Sequence, residues 1–188
     1  MKKIIIFASG SGTNAENIMH YFADSDVVSV NYVITNNKEA QVIKRAGKFD
    51  VPVKILEKGE LVSNEFLNFL KKEGDLIILA GFLLKIPEPV VCAFPERIIN
   101  IHPSLLPKYG GKGMYGKHVH EAVVANQEKE SGITIHFVNE KYDDGAVIFQ
   151  KEVPVEENDS AEAVAAKIHE LEQKYFPKVI EKVILATN

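Results

Sequence analysis

Short β-branched runs recur through the first half of the chain, separated by segments of helical spacing, and this alternation constrains the fold more than any other feature. The runs Lys3–Ala8, Val27–Thr35, Val51–Ile55, Asp75–Ala80 and Arg97–His102 are nearly continuous in hydrophobicity instead of alternating. Strands covered on both faces read this way, because neither face can carry polar side chains. Between them, Asn14–Ala23, Ala40–Phe49 and Leu61–Lys72 show helical spacing, with Leu61, Phe66, Leu67 and Leu70 forming one apolar stripe. A βαβαβ order of this kind predicts an α/β fold: an open, mostly parallel, doubly wound sheet of about seven strands with helices on both faces. After Ile133 the pattern changes. Ile133, Ile135 and Phe137 alternate with Thr134 and His136, and a further strand is expected from Ala146 to Val153, giving a C-terminal antiparallel hairpin. Asp159-Ser160 offers an N-cap for a closing helix to about Leu185, with Pro177 expected to kink or split it. No repeat, linker or low-complexity segment divides residues 1–188, so a single domain is expected.

Composition narrows the function. Cys92 is the only cysteine, so no intrachain disulfide can form, and no metal site is expected. The longest uncharged apolar stretch, Leu76–Leu84, is too short to span a bilayer, and the N-terminal apolar run is too short for a secretory signal. A cytoplasmic protein is the expectation. The net charge of −4 has the wrong sign for a dedicated nucleic-acid binder, which leaves a small-molecule ligand as the better reading.

Three stretches carry candidate chemistry. Gly10, Ser11, Gly12 and Thr13 form a small-residue loop between the first strand and a helix beginning near Asn14, a geometry that favours an anion. Gly10 to Ala15 also fits the loose G-x-G-x-x-A dinucleotide pattern, yet the second strand closes on Thr35-Asn36-Asn37-Lys38, without the acid that a nicotinamide cofactor wants. A tight turn with no ligand is the plain alternative. Asn100 and His102 stand two apart on a strand that Pro103 ends, so both project from one face at its C-terminal end, where open α/β sheets bind ligands. A carboxamide beside an imidazole can hold the oxygen of a carbonyl turning tetrahedral, although a histidine merely capping a loop would look the same. Asp143, in the hairpin turn, could charge His102 and relay protons. No G-x-S-x-G elbow is present, so direct transfer without a covalent enzyme intermediate is favoured.

Together SGSGTN at 9–14, AGF at 80–82, NIHPSLLPKY at 100–109 and HFV with D-x-G at 136–145 resemble the phosphoribosylglycinamide formyltransferase family, from Lys3 to about Pro177. The resemblance implies a formyltransferase fold, with 10-formyltetrahydrofolate and 5-phosphoribosylglycinamide as substrates and direct passage of the formyl group to the amine in purine biosynthesis. It implies Asn100 and His102 as stabilisers of the oxyanion and Asp143 as the group that orients and charges His102. Gly12, Thr13 and Asn14 match positions that hold the ribonucleotide's phosphate and ribose region. Glu172 matches a contact to the glycinamide end, and His169 a phosphate contact. The folate would lie against Phe82, Leu83, Leu84, Lys85 and Ile86, beside Asn100, and along the backbone of Asn139, Glu140, Lys141, Tyr142 and Asp143. A monomer or homodimer acting on small molecules is implied, with neither nucleic acid nor membrane as partner.

Each position has a plainer reading: Phe82 and Leu83 as core, His169 and Glu172 as solvated helix residues, Thr134 as an ordinary strand threonine. The glycine-rich segment 110–117 is expected to close over ligands as a lid, or else to be a passive surface insertion. Two other functions compete. A formyltetrahydrofolate deformylase would use the same Asn, His and Asp and pass the formyl group to water, and it is expected to carry a regulatory domain ahead of the strand starting at Lys3. A non-catalytic Rossmann-type NADP-binding module would leave Asn100 and His102 without a task. A methionyl-tRNA formyltransferase shares the SLLP stretch, but it would need a second, basic domain.

Overall fold

The computed structural model describes residues 1–186. Strands β1 (Lys2–Phe7), β2 (Val28–Thr35), β3 (Val53–Ile55), β4 (Leu76–Leu79), β5 (Ile98–His102), β6 (Glu130–Phe137) and β7 (Val147–Pro154) form one sheet in the order β3-β2-β1-β4-β5-β6-β7. The pairs β1–β2, β1–β4 and β2–β3 are parallel, and β6–β7 is antiparallel, as the sequence pattern predicts. Six helices accompany them among the described residues: α1 (Thr13–Phe22), α2 (Val42–Gly47), α3 (Asn64–Glu73), α4 (Glu88–Ala93), α5 (Lys117–Ala125) and α6 (Ala161–Ala186). The chain divides into two compact units, one of Met1–Ile99 with the chain from Ile180 onward, the other of Asn100–Val179.

In the first unit, Ile4, Ile5, Ile6 and Phe7 of β1 and Leu76, Ile77 and Ile78 of β4 are fully buried. Each such side chain contributes roughly 1.5–3 kcal/mol by leaving water. The order of connection reverses between β1 and β4, which makes their C-terminal ends a topological switch point. There the loops are joined through the main chain: Ala80 N–H donates to Phe7 at 2.9 Å and Ser9 N–H to Gly81 at 3.0 Å. The helix expected over Leu61–Lys72 is shortened at its start. Ser63 is extended and its hydroxyl accepts from Phe66 N–H at 3.1 Å, so α3 begins at Asn64 after a separate turn of 3₁₀ helix, Glu60–Val62.

In the second unit, β6 begins at Glu130, three residues earlier than expected, and carries Gly132 within it. A Cβ there would strike the Lys151 carbonyl and come within 2.5 Å of Leu105, so the glycine marks a close approach inside a strand. Pro177 does not split α6: it lies within one 26-residue helix, between the buried Phe176 and Ile180, whose packing offsets the lost backbone bond. The hairpin keeps regular pairing from Glu130↔Pro154 to Ile135↔Phe149 and then jumps to His136↔Val147, leaving one extra residue on β7. This bulge brings Gly145 onto the backbone of Phe137, where a Cβ would overlap the carbonyl, and it fixes where the turn before it emerges. Gly145→Ala is expected to destabilise the protein by about 1–3 kcal/mol, because backbone cannot give way as a flexible side chain can. Urea unfolding of the two proteins checks this, and equal midpoints would contradict it.

Candidate active site

Asn100 and His102 leave β5 on one face, as period two requires, and both meet the hairpin of the second unit. His136 supplies the link. Its Nδ1 lies 2.8 Å from the Phe137 carbonyl, so Nδ1 carries a proton and, in the neutral ring, Nε2 accepts. Asn100 Nδ2 donates to that Nε2 at 3.1 Å, which orients the carboxamide and leaves its second amide hydrogen without an acceptor among the described residues. His136 is 2 % exposed, and burial holds its imidazole below the ordinary range, against the opposing pull of the Phe137 carbonyl and Asp143.

His102 is also buried. Its Nε2–H donates to the Tyr109 carbonyl at 2.7 Å, while Nδ1 faces Asp143 Oδ2 at 3.5 Å. Asp143 sits between the two imidazoles, with Oδ1 3.7 Å from His136 Nε2, and its Oδ2 accepts from Gly111 N–H at 2.9 Å. The glycine-rich segment expected to act as a lid therefore touches the carboxylate through its backbone. Asp143 has a left-handed backbone, φ 51°, which aspartate tolerates better than most residues. Its neighbour Asp144 is exposed and pairs with Lys141 at 3.8 Å, so the two acids of the D-D-G turn occupy different environments.

Thr134 lies on the His136 face of β6 and is fully buried. Its hydroxyl donates to the Ser104 carbonyl at 2.6 Å and accepts from Leu106 N–H at 3.0 Å and Gln150 Nε2 at 2.9 Å. Ser104 Oγ in turn donates to the Lys108 carbonyl at 2.6 Å. These bonds shape the Ser104–Lys108 loop that carries the chain from His102 to Tyr109, so Thr134 builds the site and is no ordinary strand threonine. His120 on α5 is buried too, with Nδ1 lacking a partner among the described residues and its pKa lowered by burial. On α6, His169 and Glu172 pair at 3.6 Å, and that carboxylate raises the imidazole's pKa. The sequence does not single out His136 or His120 as site residues; their common signal is a polar side chain at a position that must be buried.

The first unit holds the small-residue loop. Gly12 has φ 73°, and a Cβ on it would come within 2.5 Å of Val42, so α1 starts against α2 with no room for a side chain. Val42 N–H takes the Gly10 carbonyl and Arg45 Nε takes the Ser11 carbonyl at 2.8 Å. With those carbonyls turned to α2, the N–H groups that follow them across trans peptides point the other way. Thr13 opens α1 and Asn14 follows it. Ser9 Oγ donates to Asn36 Oδ1 at 2.6 Å and accepts from Leu83 N–H at 2.9 Å. Asn36 is thus spent on holding the loop, at the place where a dinucleotide site would need an acid. Of the expected folate contacts, Phe82 packs edge-on against Phe7 and Ile86 is core, whereas Leu83, Leu84 and Lys85 are exposed. In the second unit Glu140, Lys141 and Tyr142 are exposed, and Asn139 Oδ1 accepts from Lys141 N–H to close their turn.

Residues 2–180 match the formyl transferase family. A protein of Bacillus subtilis named phosphoribosylglycinamide formyltransferase is 34% identical over 195 residues, covering 100% of this chain and 97% of its own. The chloroplastic phosphoribosylglycinamide formyltransferase of Arabidopsis thaliana is 40% identical over 187 residues, 95% of this chain, and the chain spans only 64% of that protein's length. The crystal structure of phosphoribosylglycinamide formyltransferase from Anaplasma phagocytophilum superposes with a TM-score of 0.88 at 32% identity, covering 98% of this chain and 88% of that one. No helix among the described residues is long and apolar enough to cross a membrane.

The buried imidazoles give stability a predictable pH dependence. His120 and His136 have lowered pKa values, so below the unfolded value of 6.5 the unfolded chain binds protons that the fold refuses, and stability falls with pH. His169 acts oppositely: its contribution is complete below 6.5 and fades as pH rises through its raised value. Urea midpoints are expected to drop between about pH 7.5 and about pH 5.5, less steeply in His120→Gln and more steeply in His169→Gln. An unchanged slope in His120→Gln would show that this imidazole is not held neutral.

Proposed function

Because the chain belongs to the formyl transferase family, we propose that it transfers the formyl group of 10-formyltetrahydrofolate to the amine of 5-phosphoribosylglycinamide in purine biosynthesis. The observation that carries this reading is the convergence of Asn100, His102 and Asp143 with one amide hydrogen of Asn100 left unclaimed. In the transfer the amine attacks the formyl carbon, the formyl oxygen becomes anionic, and the bond from that carbon to the folate nitrogen breaks. The amine loses a proton and the folate nitrogen gains one. Asn100 offers its free N–H to the developing oxyanion. His102 has its Nε2–H engaged with Tyr109, and when its Nδ1, on the Asp143 side, takes up a proton during the transfer the ring serves the anion as a nearby positive charge.

Gly12, Thr13 and Asn14 bind the phosphate and ribose region, with His169 and Glu172 toward the phosphate and the glycinamide end. The folate lies on Phe82, Leu83, Leu84, Lys85 and Ile86, beside Asn100, and on the backbone of Asn139, Glu140, Lys141, Tyr142 and Asp143. The exposure of Leu83, Leu84 and Lys85 supports contacts there, whereas the burial of Ile86 limits that residue to shaping the pocket wall. The enzyme works in the cytoplasm as a monomer or homodimer on small molecules, independent of nucleic acid and membrane.

Asn100→Ala and His102→Ala are each expected to lower kcat by about two to three orders of magnitude with folate affinity retained, the cost of roughly 2.7–4 kcal/mol for one lost oxyanion stabiliser. Steady-state kinetics with both substrates test this, and near-normal turnover in either variant refutes the role. Asp143→Asn should also lose most of kcat, whereas Asp144→Asn, altering an exposed side chain, should change it little. Folate turnover in the absence of the amine would instead identify a hydrolase.

A further inference from the structure

We infer that Glu128 is a positioning residue for His102, acting through Tyr109; as an influence on turnover this rests on the transfer proposed above, and as an influence on the imidazole it does not. Tyr109 is held at both of its ends. Its phenol donates to Glu128 Oε1 at 2.9 Å, and its carbonyl accepts from His102 Nε2 at 2.7 Å. Between those ends its backbone has φ 55°, a left-handed conformation that a bulky side chain enters only when its surroundings over-determine it. Gly110 and Gly111 follow directly, so beyond the single bond from Gly111 N–H to Asp143 the backbone on the C-terminal side adds little stiffness to where the carbonyl aims.

Glu128 is well suited to hold that end. It lies just beyond α5, where Gln127 N–H donates to Val124 and Glu128 N–H to Val123 at 3.2 Å, so its backbone is anchored to the helix end. Its carboxylate accepts from Tyr109 and from Lys108 Nζ, at 3.2 and 2.9 Å, and is only partly open to water. Lys108 and Tyr109 are adjacent in sequence, so one carboxylate holds two successive residues at the C-terminal end of the Ser104–Lys108 loop. The chemical consequence lies at the imidazole. A carbonyl can only accept, so a fixed Tyr109 carbonyl keeps the proton on Nε2 and reserves Nδ1 for the Asp143 side. If Tyr109 loses its anchor, either ring nitrogen can carry the proton, and the ring can turn away from the carboxylate.

The test uses the full chain with ¹⁵N-labelled histidine, reading the His102 tautomer by long-range ¹H–¹⁵N correlation, alongside kinetics with both substrates and thermal melting. The wild type should show His102 protonated at Nε2 in its neutral form. In Glu128→Ala and Tyr109→Phe the signal should report a mixture of tautomers, and kcat should fall about tenfold or more, with KM for both substrates little changed. Glu128→Gln, whose amide oxygen still accepts from the phenol, should retain the Nε2 tautomer and most of kcat. Lys108→Met, which removes only the ion pair, should do likewise. An unaltered tautomer in Glu128→Ala and Tyr109→Phe overturns the inference, as does a loss in Lys108→Met equal to that in Glu128→Ala. If the tautomer shifts as stated while no variant, nor the wild type, transfers a formyl group, the positioning stands and the proposed reaction fails.

Discussion

A buried imidazole must find an acceptor for every N–H it carries, and this requirement organises the Asn100–His102–Asp143 group. His136 finds the Phe137 carbonyl, which turns its other nitrogen into an acceptor for Asn100; His102 finds the Tyr109 carbonyl, which turns its other nitrogen toward Asp143. In both cases a main-chain oxygen decides the chemistry of a side chain. The carbonyls in turn sit where β6, the Ser104–Lys108 loop and the left-handed Tyr109 put them, so the fold reaches the reacting groups through its backbone.

Much of this architecture was legible in the sequence because its cause is local. Continuous β-branched runs read as doubly covered strands, as β1 and β4 are, and the parallel half of the sheet follows from them, although the edge strand β3 leaves Ile55 exposed. The helices α4 and α5 were not legible. α4 is six residues long, is preceded by Pro87 and carries Pro89, and α5 follows a glycine-rich stretch whose turn signals mask the helix behind it. Pro177 misled in the other direction, since a proline penalty is a local quantity and the packing of Phe176 and Ile180 is not.

The site divides in the same way. That Asn100 and His102 share one face at a strand end could be read from a period of two and the stop at Pro103, and Asp143 could be placed in the turn of the hairpin that follows. The supporting residues could not, because their roles depend on contacts between positions far apart in the chain: Thr134 with Ser104, Glu128 with Tyr109, His136 with Asn100. On paper, Thr134 and His136 look like the wet side of an alternating strand. In the structure both faces of β6 are covered, and a polar side chain on such a strand is a connector.

The bulge at the end of the β6–β7 hairpin has a consequence for how this chain can vary. Phe137 N–H bonds to the Ala146 carbonyl at 2.9 Å, so the segment from 138 to 145 is a closed loop tied at its neck, with Gly145 wedged against the strand. Within that loop the chain makes one reversal, and the carboxylate that meets both imidazoles lies just before the wedge. The number of residues between His136 and Asp143 therefore works as a ruler. Glu140, Lys141 and Tyr142 are exposed, so a change of side chain there disturbs little packing, but one residue added or removed would rotate the acid off its two partners. In this turn composition is open to drift, whereas length is fixed by chemistry.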